Sequence, residues 1–511
     1  MYDKTIVTHL GALSAKYGST GVSRISNALK ALVVADKARG LRTGVVYLDD
    51  AGAMKKMGAK PLQTVADYRG AKAAVDGVFK ALAPQYLMIL GAPDVVPHQD
   101  LSNPAFSAGD DDDPKAWGDL PYACDTEYGH DPAQFVGPTR VVGRLPDLTG
   151  AREPSHLLAL LESSAKWKCR RPDHYSTYFG LSASVWQGST RLSLDNLFGN
   201  NSALLLAPPK GAKYPGGELG ARAHFINCHG APAVPEFYGQ KGNKYPISLN
   251  TKSTAGAIQT GTVASVECCY GGELYDSVTL GLDIPICQSY LRQGAYGYLG
   301  STTIAYGPAD DNGAADLLCQ YFLHNVLSGS STGSALLQAR QQFVDRSAQM
   351  DPIDLKTLAQ FCLYGDPSVQ PVAMPGQNEP LEGADPEKVA RFRRGERRAK
   401  LLQTGEFLKQ TKPTASKVEK GRRPPVQAKA ALANIASRGG LPRGQRFKAF
   451  TVRGAKEVRA GQAKFAGAPS RYYLAIGKPS SPSRNDGRYR VAVVAKELGG
   501  RIVDYRIYHQ R

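Results

Sequence analysis

Short apolar runs, each followed by a stretch with the period of a helix, dominate the first part of the chain. The segments "TGVVYLDD" (43–50), "YLMILGA" (86–92) and "RVVGRLP" (140–146) read as strands, separated by helices such as "DYRGAKAAVDGVFKALA" (67–83). A second series follows the helix "EPSHLLALLESSAKWKC", with strands at 176–184, 222–228, 261–269 and 294–302. Helices near 313–327 and 333–347 and the block "LAQFCLYGDPSV" close it. Strands alternating with helices predict an α/β fold with a mostly parallel sheet and helices on both faces. Beyond about Pro375 the periodicity fades into Pro, Gly, Lys and Arg, and returns in "RYYLAIG", "RYRVAVVAKEL" and "GRIVDYRIYHQ", which read as strands with turns between them. The expected organisation is an α/β subdomain over 1–150, a second over 151–375, a basic flexible linker or arm over 376–440, and a small β-rich domain over 441–511.

The 511 residues are 42% hydrophobic, enough for several cores of ordinary size. The net charge is +18, and half of it is local: residues 387–423 hold thirteen Lys or Arg against four Glu. The eight cysteines are scattered without a CxxC pair, which argues against a disulfide scaffold or a zinc knuckle. The first residues lack a charged segment leading into an apolar one, and no run of roughly 18 apolar residues occurs. The expectation is a cytoplasmic protein with no membrane insertion.

Two strand ends carry the candidate chemistry. "HFINCHGAPAV" (224–234) stops at His229-Gly230, and "VASVECCYGG" (263–272) stops at a cysteine pair and two glycines. In a parallel α/β sheet the residues just past the carboxyl ends of strands are placed to meet a ligand. A thiol, with its usual pKa of about 8.5, attacks a carbonyl only as thiolate or beside a base, and an imidazole serves as that base. Alone, a histidine at a strand end is usually structural and a buried cysteine inert. Together, on nearby strands, they form a candidate dyad, with the N–H groups of Gly230 and Cys269 available to a developing oxyanion.

The blocks "INCHG" and "VECCYGG" resemble the His-Gly and acid-x-Cys-x-Gly blocks of caspase-like (clan CD) cysteine peptidases. "YLMILGAPDVVP", "TRVVGRLPDLTGAREPSHLLALLE", "GAYGYLGSTTIAYG" and "FCLYGDPSV" narrow the resemblance to gingipain-like peptidases of family C25, over roughly residues 40–372. The resemblance implies a caspase-like three-layer sandwich of two consecutive α/β subdomains, of which only the second carries catalytic residues. It implies His229 as general base and acid. It implies Cys269 as nucleophile, because one residue separates it from the following glycine; Cys268 then reads as a packing thiol.

The resemblance extends to the acid two residues before the nucleophile, which in metacaspases lines the primary specificity (S1) pocket and is more commonly Asp than Glu. Glu267 holds that position, so the expected substrate is a protein or peptide cut after Arg or Lys. Tyr306, Asp310 and Asp311 fall where relatives carry substrate-contacting loops, and a solvated loop is an equal reading there. No cofactor is required. The acidic run "GDDDDPKAWGD" (109–119) offers calcium-type oxygens without EF-hand spacing, and reads first as a solvated loop.

If the preference is basic, "RFRRGERRAK" (391–400) invites self-cleavage, whereas Pro424 protects the bond after Arg423. Another reading makes residues 387–423 and the last domain a module that binds nucleic acid or a regulatory partner. With only Phe392 and Phe407 among its charges, that arm offers electrostatic attachment and no base-stacking platform. A third reading is a catalytically silent binding protein with the same fold.

Overall fold

A computed structural model describes residues 2–346, 350–373, 419–442, 444–452, 470–480 and 490–511. Ten strands form one continuous sheet in the order Thr43–Tyr47, Lys4–Thr8, Tyr86–Leu90, Val142–Leu145, Phe361–Tyr364, Gly297–Ser301, Val263–Val266, Ala223–Asn227, Tyr178–Ala183 and Leu204–Ala207. Every neighbouring pair is parallel except Phe361–Tyr364 with Gly297–Ser301. The strands of 1–150 and those of the following segment therefore share one sheet, and Phe361–Tyr364 is the seam between them.

Successive strand residues point to opposite faces, and the core divides accordingly. Ile226, Ala264 and Tyr298 join the core beneath the helices Leu10–Ala38 and Ser155–Lys166, while Phe225, Val263 and Leu299 join the core beneath Ala314–Leu327 and Thr332–Arg346. The fold is α/β with helices on both faces of a mostly parallel sheet, as the alternation predicts.

The strand Lys4–Thr8 and the helix Leu10–Ala38 lie in a stretch where the hydropathy pattern named no element. The reason is Lys4, fully buried, whose Nζ meets Asp36 at 2.9 Å and also bonds Asp366. The two family-like blocks are ties of the same kind. Arg144 of "GRLP" is buried, bonds Asp119 at 2.9 and 2.6 Å, and donates to the carbonyls of Gly91 (2.8 Å) and Val96 (2.6 Å). Asp366 of "GDPSV" holds Lys4 of the distant first strand and, locally, Ser368.

A second, antiparallel sheet runs Tyr306–Gly307, Arg501–Gln510, Val491–Leu498, Ser470–Gly477, Lys448–Val452, Glu419–Lys420. Its first strand comes from the second α/β segment, so the large sheet's unit and the β-rich unit share backbone pairing. Within the span expected to be a linker, Val426–Arg438 is a helix that buries Ala428, Leu432, Ile435 and Ala436 against Tyr473, Val491 and Val493. That correction has a simple cause: the apolar positions recur at helical spacing, but lysines and alanines between them lower the contrast. The cluster 391–400 and most of 387–423 lie outside the described residues.

Candidate active site

The parallel neighbours Ala223–Asn227 and Val263–Val266 are in register with Ile226 opposite Val266, and the N–H of Glu267 bonds Ile226 O at 2.9 Å. Their carboxyl ends thus emerge side by side, which brings His229-Gly230 against Cys269. A β-carbon on Gly230 would stand 1.8 Å from the carbonyl oxygen of Cys269, so only glycine allows this approach. The next residue, Tyr270, adopts a left-handed backbone (φ 54°), a strained turn for a bulky side chain, and anchors its hydroxyl on Asp113 at 3.0 Å.

The vicinal thiols face opposite cores. Cys268 accepts from the N–H of Cys228 at 3.3 Å among apolar neighbours. Cys269 turns the other way, and its Sγ accepts from Ala305 N–H at 3.2 Å. Burial pushes the Cys269 thiol up to about 12, with the Ala305 hydrogen bond opposing. His229 Nε2 lies 2.7 Å from Gln240 Oε1, and its ring packs on Trp186 at 4.3 Å and Tyr245 at 5.1 Å. Burial takes this imidazole down to about 3; the Gln240 bond opposes and the charge of Arg511 adds to the fall. Trp186, Gln240 and Tyr245 carried no signal in the sequence, since each lies on a loop or short turn outside both blocks.

Arg511 occupies the space between these groups. Its N–H donates to Ala305 O at 3.0 Å, and its carbonyl oxygen accepts from Cys269 N–H at 3.3 Å. Its guanidinium is fully buried, stacked 4.5 Å from the Trp186 ring. Nη2 bonds Asp316 at 2.9 and 3.2 Å, Pro308 O at 2.6 Å and Ser189 Oγ at 3.4 Å; Nε lies 3.9 Å from Glu267. Burial and the neighbouring Asp316 push Glu267 well above the usual carboxylate range, against the pull of Arg511; burial also raises Asp316. Two buried acids face one guanidinium, Asp316 bonding it directly and Glu267 standing 3.9 Å away, so the pocket suits a basic side chain.

Of the residues expected around that pocket, Glu267 lines it. Asp310 is exposed on the loop after Pro308, and Asp311 accepts from Asn312 N–H; the carboxylate that meets the guanidinium is Asp316, in the first turn of the helix Ala314–Leu327. The loop carries the nearer acids outward, and the helix returns the later one. Tyr306 contributes backbone: it pairs with Gln510, while its hydroxyl bonds Asp111 at 3.0 Å.

The acidic run is also not a solvated loop throughout. Asp111 is buried and bonds Lys356 Nζ at 2.6 Å, and Asp113 holds Tyr270 and Ile304 N–H. Two of its carboxylates are thus spent on partners distant in sequence rather than left for a cation. Among the described residues, His98, Asp119 and Cys362 form a group with metal-ligating atoms within 4.8 Å. The Arg144 guanidinium already saturates Asp119, and a fixed cation there disfavours a metal ion.

Residues 246–372 match the model of peptidase family C25, a span that contains Glu267, Cys269, Asp316 and the "GDPSV" block and begins after His229. No curated protein matches the chain. A solved structure named "Structure of Protease" is similar at 14% identity over 99% of this chain and 97% of its own, with a TM-score of 0.46.

Proposed function

We propose that the protein, whose residues 246–372 match the model of peptidase family C25, is a cysteine endopeptidase that cuts after a basic residue, arginine above all, with Cys269 as nucleophile and His229 as base and acid. The observation that carries this reading is the seat of Arg511: side chain between Glu267 and Asp316, carbonyl oxygen on the N–H of Cys269. A substrate arginine in that seat presents its carbonyl carbon to Cys269 Sγ.

His229 accepts the thiol proton as sulfur attacks, and the oxyanion builds on the N–H of Cys269. Collapse breaks the C–N bond, His229 returns the proton to the leaving amine, and water hydrolyses the thioester to release acid and thiol. With the thiol near 12 and the imidazole near 3 in the closed state, the proton rests on sulfur, so attack awaits a site in which both groups are less deeply buried. The arginines of 391–400 fit the same preference and are self-cleavage candidates outside the described residues. Among the described residues no helix is long and apolar enough to cross a membrane.

The test is a peptide-library digest by the full chain and by Cys269→Ala, with cleavage sites read by mass spectrometry. Cuts after Arg, fewer after Lys, and none with Cys269→Ala are expected. Cuts after acidic residues, or cuts that survive the substitution, contradict the assignment.

A further inference from the structure

The seat of Arg511 bears on regulation as well as specificity. We propose that the strand Arg501–Gln510, with Arg511, is an intramolecular inhibitor that occupies the substrate cleft of its own chain, and that activity requires its withdrawal. The proposal rests on the peptidase reading above.

Three independent contacts hold the segment as a bound peptide would be held. Its backbone pairs antiparallel with the cleft strand, Gln510 opposite Tyr306 and His509 opposite Gly307. Its arginine fills the Glu267–Asp316 pocket, and its carbonyl takes the N–H of Cys269. With the segment in place Cys269 is fully buried and His229 is 8% exposed, so a second peptide has no access to either.

The opposite edge of the strand is locked into the β-rich sheet by pairing along Val491–Leu498, unbroken from Val491 to Lys496. Away from the cleft, Arg506 bonds Asp351 at 3.3 Å and Asp354 at 3.0 Å, and Tyr508 donates to Asp351 at 2.8 Å. A tethered occupant of this kind competes at an effective concentration in the millimolar range, above what a free peptide substrate at micromolar level overcomes. The β-rich unit therefore acts as the holder of a substrate-like strap, and a signal that loosens the unit opens the site.

The experiment compares the full-length wild type with Arg511→Ala and Arg506→Ala on a fluorogenic peptide amide ending in Arg, with Cys269→Ala as blank and thermal unfolding as a check on folding. Arg511→Ala empties the pocket, and Arg506→Ala loosens the strand without touching it. Both are expected to raise kcat/KM at least about tenfold, mainly through KM, because both remove the tethered competitor. If Arg511→Ala proves unstable, Arg506→Ala decides. Wild type and variants that hydrolyse at equal rates overturn the strap and leave the peptidase reading standing. If none hydrolyses, the reading beneath it falls, and the strap with it.

Discussion

At the scale of single residues, the pocket sorts its two acids by geometry. Asp316 receives the guanidinium directly at 2.9 Å, whereas Glu267 stands 3.9 Å from Nε. Truncating one partner of a buried charged pair costs about 2 kcal/mol or more. With the pocket emptied by Arg511→Ala, a further Asp316→Asn should therefore lower kcat/KM for an arginyl peptide by at least about 30-fold, and the same ratio for an alanyl peptide should stay near one; Glu267→Gln should cost less. Steady-state kinetics on matched substrates check the order. Glu267 was legible because it sits two places before the cysteine. Asp316 was hidden because it lies forty-nine positions beyond Glu267 and reads as an ordinary first-turn helix acid. Asp310 drew attention by nearness to the block, yet the chain turns outward there.

At the scale of elements, the apolar runs announced most strands of the large sheet, since strands buried on both faces need continuous hydrophobic stretches. The first strand escaped because buried Lys4 and its partners Asp36 and Asp366 look like surface residues until the fold joins them. The helix Val426–Arg438 escaped because its basic surroundings masked a narrow apolar stripe.

The same logic shows what "GRLP" does. Arg144 lies opposite Tyr364 at the seam of the sheet, with Asp119 as its buried counter-ion. Arg144→Ala should destabilise the chain by about 3–5 kcal/mol, because Asp119 is left buried and unpaired. Urea unfolding measures this. The double replacement Arg144→Met with Asp119→Leu should recover a large part of the loss, and a double variant as unstable as the single one would show that the carbonyl contacts to Gly91 and Val96 dominate instead.

At the scale of the whole molecule, the α/β unit carries His229 and Cys269 and the β-rich sheet covers them, its edge strand Tyr306–Gly307 being supplied by the α/β segment. The backbone pairing that joins them links segments two hundred positions apart and leaves no local trace in the sequence. Nor does a pattern reveal that Arg511 lies between Glu267 and Asp316. The central claim is that Cys269 reacts beside an arginine-selective pocket, although a second buried pair, His98 and Cys362, also brings imidazole and thiol close. The most direct measurement treats Arg511→Ala protein with an arginyl acyloxymethyl ketone, then maps the modified peptide by mass spectrometry. A single adduct on Cys269, absent with the alanyl analogue, is the predicted result; an adduct on Cys362, or equal labelling by both reagents, would contradict the account.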